Sequence, residues 1–241
     1  MGPIPWSTAV RVTAALVAAF FVAAAVLQSL ISFELLGARP GGGIDFIDEV
    51  LRGFEWEQER WPVEFAATAL FGAGFVALGG LGTLLAGLAE RADASRSLVR
   101  AAFVGAGGLG LGSQLLWLGV KPIAANPHLC ECGLREEEII AKLMILNVGG
   151  DVQIWMAIGA TLLAAIGAVL IAPVGRRAGM PVGWAWLSPA ILVLGLVAAV
   201  LHIFQAFPAD WSVLLLATSI VVPIWAIWIA LRAEAIAPPA E

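Results

Sequence analysis

One short segment of this chain gathers the residue types best suited to chemistry. It holds both cysteines and one of the two histidines, in the order His128, Cys130 and Cys132. In an extended chain alternate side chains point the same way, so these three could offer one nitrogen and two sulfurs to one centre. Such soft ligands suit copper(I) or zinc. The segment therefore predicts a candidate metal site, with Glu131 or His202 as a fourth ligand.

The two cysteines also support other hypotheses. On an extracytoplasmic loop, oxidising conditions would join Cys130 to Cys132 in a disulfide. A disulfide ring that spans a single intervening residue is tight, which favours easy reduction and a thiol-redox role over a structural one. The pair could also contact a partner subunit. Metal site, disulfide without catalysis and redox centre all stay open, and a dithiol relay would need a second protein.

Composition places the chain in a lipid bilayer. Of 241 residues, 61% are hydrophobic and 13% are charged, and the mean hydropathy is +0.94. The apolar runs have the length of roughly twenty residues that a membrane-spanning helix needs. We predict an all-α fold in which one domain, residues 1–232, is followed by a short tail, 233–241. The predicted spans are residues 9–33, 61–88, 98–120, 152–174, 184–207 and 211–231.

Two long loops, after the first and third spans, each carry an amphipathic pattern. Apolar residues recur at helical spacing from Ile44 to Phe54, and again from Leu134 to Val148. This pattern predicts a short helix lying on the membrane surface in each loop.

Glycines mark the second and third spans. They include Gly79 and Gly82 in one span and Gly107 and Gly110 in the other. Small residues let helix backbones approach closely in lipid, so these spans are expected to pack as a tight hairpin. A pore or hinge role is the less favoured interpretation.

Basic residues indicate the orientation. Seven lie in or beside the short connections and the ends of the first and last spans, and six lie in the two long loops. The higher density in the short connections predicts that both termini are cytoplasmic, in a multi-pass protein of the plasma membrane. The chain has no basic tract of the kind that binds nucleic acid, so nucleic acid is not predicted as a partner.

Polar side chains within the spans cluster near the long loops. Polar groups in lipid need a partner or a cavity. One interpretation is that these residues lie at hydrated helix ends near the membrane surface, where Lys121 pairs with Asp151 or Glu64. The other is a vestibule that binds a ligand, proton or cation, whereas a conduction path would need polar groups deeper in the membrane. The candidate vestibule residues are Glu64, Gln114, Lys121, Asp151, Gln153, His202 and Gln205.

Three functional hypotheses follow from these patterns. The first is a non-catalytic accessory or assembly subunit that sits in the lipid bilayer and binds protein partners through its long loops. The second is a copper, zinc or thiol-redox protein centred on the cysteine segment. The third is a small-solute transporter that uses the vestibule. No phosphate-binding loop or catalytic set supports an enzyme.

Overall fold

The structure, a computed structural model, describes residues 5–36, 46–89, 93–124, 136–206 and 209–236. These residues are almost entirely helical and include no strand, which confirms the all-α prediction. The described helices are α1 (Trp6–Ser32), α2 (Phe46–Leu85), α3 (Asp93–Ala124), α4 (Glu136–Arg177), α5 (Val182–Ile203), α6 (Ala209–Leu216) and α7 (Val222–Arg232).

Helices α6 and α7 form a single span, because the π-helical segment Ala217–Val221 joins them. Pro223 follows this segment and has no N–H to donate, so the turn before it widens. The Val222 N–H donates to the Ala217 carbonyl, five residues earlier. Over the described part of the chain, six helices are then long and apolar enough to cross a membrane. By length and composition this is a multi-pass membrane protein.

Helices α2 and α4 are longer than a bilayer requires. They contain 40 and 42 residues, and at 1.5 Å per residue each is about 60 Å long, twice the thickness of a hydrocarbon core. The described parts of the two amphipathic segments, residues 46–54 and 136–148, are helical, but they continue directly into the second and fourth spans. Pro62 lies within α2 without ending it. The N-terminal parts of α2 and α4 therefore extend beyond the ends of the other helices.

The bundle has two ends, which we name by the chain segments found there. Helices α1, α3 and α5 end, and α2, α4 and α6 begin, at the loop face. Helices α2, α4 and α7 end, and α1, α3 and α5 begin, at the opposite end, the terminus face. Side chains exposed along the helices are largely apolar, for example Leu16, Val104 and Val193, as expected for contact with lipid.

Glycines bring α2 and α3 together as the sequence predicted. A Cβ atom built on Gly107 would lie 3.1 Å from the Phe75 carbonyl oxygen and 3.3 Å from the Gly79 Cα. A Cβ on Gly110 would fall 2.1 Å from the Phe75 ring. Helices α2 and α3 can pack this closely only because these positions lack side chains.

Aromatic rings fill the core between the helices. Trp225 of α7 stacks between Phe103 and Trp184, with ring centroids 6.0 Å and 5.8 Å away. Phe21 of α1 meets Phe75 of α2 edge-on at 5.1 Å. These rings join α1, α2, α3, α5 and α7 below the loop face and position the polar helix ends above them.

Candidate functional site

A large cavity of about 1030 Å³ opens at the loop face. Residues from α1 to α6 line it, so it lies inside the helical bundle. Six of the seven residues predicted to form a vestibule are in its lining: Glu64, Gln114, Asp151, Gln153, His202 and Gln205. The seventh, Lys121, is buried and forms an ion pair with Glu64. The structure thus brings together residues that lie far apart in the sequence.

Lys121 is held by two carboxylates of α2. Its ammonium group bonds to Glu64 and lies 3.3 Å from a carboxylate oxygen of Glu57. The second oxygen of Glu64 accepts a hydrogen bond of 2.9 Å from the indole nitrogen of Trp117. Of the two partners that the sequence left open, Lys121 pairs with Glu64, whereas Asp151 is exposed at the cavity lining. The buried charge of Glu64 is therefore compensated within the protein.

His202 forms a second polar pair, with Asp210. Its Nδ1 lies 2.7 Å from the Asp210 carboxylate, whose other oxygen accepts a hydrogen bond from the Trp211 backbone N–H. The Asp210 side chain is 1% exposed, and the His202 ring meets Trp155 edge-on at 5.0 Å. Sequence reasoning missed Asp210 because it read this residue as part of a loop. An acidic residue in the first turn of a helix, eight residues after a histidine, was the available signal.

Two largely buried side chains of the lining form no hydrogen bond to the residues that the structure describes. They are Gln153 of α4, 7% exposed, and Thr68 of α2, 4% exposed. Gln114, beside them in the lining, donates to the Ser113 hydroxyl oxygen at 2.9 Å. The polar atoms of Gln153 and Thr68 are not fully enclosed by protein, so they face the cavity. Both side chains can therefore donate or accept hydrogen bonds within the cavity.

The cavity is acidic and aromatic. Its lining includes the carboxylates of Glu49, Glu57, Glu64, Asp151 and Asp210. Within the described residues, the lining contains no arginine or lysine, and the Lys121 ammonium contacts two of these carboxylates, Glu57 and Glu64. The indole rings of the lining come from α3, α4 and α6: Trp117, Trp155 and Trp211. The cavity therefore combines aromatic surface and hydrogen-bonding groups with negatively charged side chains.

Gln205 sits in a strained turn at the edge of the cavity. Its φ is +53°, in the left-handed region that favours glycine. The turn closes α5 because the Ala206 N–H donates to the Leu201 carbonyl at 2.9 Å. Glu34 has a φ of +52° in the matching turn after α1, but it is not part of the cavity lining. Keeping a side chain at position 205 therefore costs stability and places an amide at the cavity.

We expect Gln205→Gly to stabilise the protein and weaken the binding of a molecule in the cavity. Relief of the left-handed strain, less the entropy cost of glycine, amounts to about 0.5–1 kcal/mol. Glu34→Gly is the matched control, and it should stabilise equally without changing binding. Chemical unfolding measures the stability of both variants, and equilibrium dialysis with a small-molecule probe measures their binding. Equal loss of binding in the two variants would contradict a binding role for the Gln205 side chain.

The predicted metal segment lies outside the described residues. His128, Cys130 and Cys132 belong to it, so its metal, disulfide and redox interpretations stay predictions. His202, the suggested additional ligand, uses Nδ1 for Asp210 and has only Nε2 left for a metal. Among the described residues, no group of three or more His, Cys, Asp or Glu side chains is arranged to hold a metal ion.

The chain matches no protein-family model, no curated protein and no solved structure.

Proposed function

We propose that this protein is a small-solute transporter whose binding site is the loop-face cavity. The observation that carries the proposal is a cavity of about 1030 Å³ whose lining includes two largely buried residues, Gln153 and Thr68, with polar atoms open to the cavity and not hydrogen-bonded to described residues. Sites for small molecules typically have volumes of about 300–1000 Å³, so this cavity lies at the upper limit of that range. A solute that hydrogen-bonds to these two side chains would satisfy them. The predicted orientation would make the loop face extracytoplasmic.

The π-helical segment supports transport over simple binding. Phe71 and Gln114 line the cavity and also a small void beneath it, which Thr218 of Ala217–Val221 borders. Wide helical turns are frequent at functional sites, and many transporters bind substrate beside interrupted helices near the middle of the membrane. A turn that lacks regular α-helical bonds directly below a binding site is a place where the last span could bend.

The other two hypotheses concern different parts of the molecule. Docking of protein partners would use the long loops, and metal or thiol chemistry would use the segment with Cys130 and Cys132. Both stay predictions, and neither accounts for a cavity inside the bundle that is lined by polar side chains. A plasma-membrane location with cytoplasmic termini is likewise part of this proposal.

A substitution that fills the cavity tests the proposal. Gly150 lines the cavity, and a Cβ built there meets only the Trp117 ring, at 3.6 Å, so Gly150→Phe would place a ring in the cavity. Gly119 is exposed with no atom within 4 Å of its ideal Cβ and lies outside the lining. Gly119→Phe is therefore the matched control.

Binding is measured by equilibrium dialysis of the purified protein with three probes of similar shape. They are tetraphenylphosphonium, triphenylphosphine oxide and tetraphenylborate, which are cationic, neutral and anionic. We expect saturable binding of at least one probe to the parent and the control, and at least about tenfold weaker binding to Gly150→Phe, equivalent to 1.4 kcal/mol. Binding that Gly150→Phe leaves unchanged, or no saturable binding of any probe, would contradict a solute site in this cavity.

A further inference from the structure

We infer that the solute is an organic cation with an apolar body. This inference rests on the proposed solute-binding function and adds the chemical class of the ligand. Three features of the cavity support it: the position of the uncompensated carboxylates, the tryptophan rings of the lining, and the two polar side chains that form no hydrogen bond to described residues.

The uncompensated negative charge lies towards the opening of the cavity. The two most buried carboxylates are already satisfied, Glu64 by Lys121 and Trp117, and Asp210 by His202 and the Trp211 backbone. Glu49 and Asp151 are exposed members of the lining for which the structure gives no ion pair among the described residues.

Glu57 adds to this charge. Its side chain is 24% exposed, and it shares the single Lys121 ammonium with Glu64. Glu49, Asp151 and the partly compensated Glu57 would therefore repel an anionic solute near the opening of the cavity and attract a cation.

The aromatic walls suit a cation as well as an apolar body. Ammonium groups are attracted to the faces of tryptophan rings within about 6 Å of the centroid. The protein shows this contact itself, because the Lys121 ammonium lies 5.3 Å from the Trp117 ring centroid. Trp155 and Trp211, on two other helices, offer further indole surface to the same volume.

The unpartnered polar groups make the site more than a cluster of acids. Gln153 and Thr68 lie on facing helices, α4 and α2, and both are more than nine-tenths buried in the lining. An amide oxygen and a hydroxyl oxygen can accept hydrogen bonds from a polar or charged group of a solute. A cation that places its apolar body against the indole rings and its polar end towards these oxygens satisfies all three features.

The test compares the three probes and removes two lining charges together. Tetraphenylphosphonium has no hydrogen-bond donor, so it tests the charge and the aromatic walls and not the contacts to Gln153 and Thr68. We expect tetraphenylphosphonium to bind the parent at least roughly tenfold more tightly than tetraphenylborate and more tightly than triphenylphosphine oxide. The double variant Glu57→Gln/Asp151→Asn should lose most of this preference while it keeps the affinity for the neutral oxide. Glu55→Gln is the control, because Glu55 is exposed on the same helix as Glu57 but lies outside the lining.

The outcomes separate this inference from the proposed function. If the neutral or anionic probe binds as tightly as the phosphonium and Gly150→Phe abolishes that binding, the cavity is a solute site but not a cation site. If the phosphonium preference survives in Glu57→Gln/Asp151→Asn, or falls equally in Glu55→Gln, the carboxylates of the lining do not set it, and the inference is wrong. Loss of the preference in the double variant alone supports it.

Discussion

Lys121→Met should reduce the free energy of unfolding by about 3–5 kcal/mol, the usual cost of breaking one side of a buried ion pair. The side chains of Lys121 and Glu64 are 9% and 10% exposed. Methionine fills a similar volume but leaves the Glu64 carboxylate buried without a cation, with the Trp117 indole N–H as its remaining neutral donor. Reversible unfolding in mixed detergent, followed by tryptophan fluorescence, measures the change.

A second substitution distinguishes lost charge compensation from lost packing. In Glu64→Gln/Lys121→Met no unpaired carboxylate remains at position 64, so we expect most of the stability to return. Lys142→Met is the control on a half-buried lysine of α4, with an expected cost within about 1 kcal/mol. If the double variant is as unstable as Lys121→Met alone, the account of a charge pair buried beside the cavity is wrong.

Gly82→Ala should destabilise the protein by about 3 kcal/mol through overpacking between α2 and α3. An added Cβ would lie 2.0 Å from the Cβ and Cγ of Phe103, which is 0% exposed. The ring of Phe103 has little room to move, because it also packs against Gly167 of α4 and stacks on Trp225. The same unfolding titration measures this effect.

Gly80→Ala is the matched control for Gly82→Ala. It lies in the same helix, is exposed, and its ideal Cβ meets only a methyl carbon of Thr13 at 3.7 Å. Because alanine favours a helix by up to about 1 kcal/mol over glycine, this variant should be neutral or slightly more stable. Equal destabilisation of the two variants would show that helix contact at Gly82 is not the cause.

The sequence predicts those features of the fold that depend on short stretches of consecutive residues. Runs of apolar residues predict spans, because a bilayer demands about twenty of them in each helix. The continuation of α2 and α4 beyond the bilayer was not predicted, because an amphipathic pattern is the same for a separate surface helix and for an extension of a span. The apolar sequence of the fifth span also did not reveal that Trp184, at its predicted start, is buried against Trp225.

The candidate site was predicted in part. Polar residues in spans are costly enough that their clustering at one end of the helices pointed to a vestibule. The partners of each residue depend on how the helices rotate and tilt, which composition does not specify. Asp210 and Thr68 were therefore missed: one follows a proline in an apparent loop, and the other resembles any threonine in an apolar helix.

The most direct test of the account is to locate a bound cation in the protein. Tetraphenylarsonium has the shape and charge of tetraphenylphosphonium, and arsenic gives an anomalous signal in X-ray diffraction. Crystals of the full chain soaked with this probe should show one arsenic peak inside the cavity, between the Trp155 ring and the carboxylates of Glu57 and Asp151. Peaks confined to the outer apolar surface, or an empty cavity in crystals of protein that binds the probe in solution, would contradict the central claim that this cavity is the solute site.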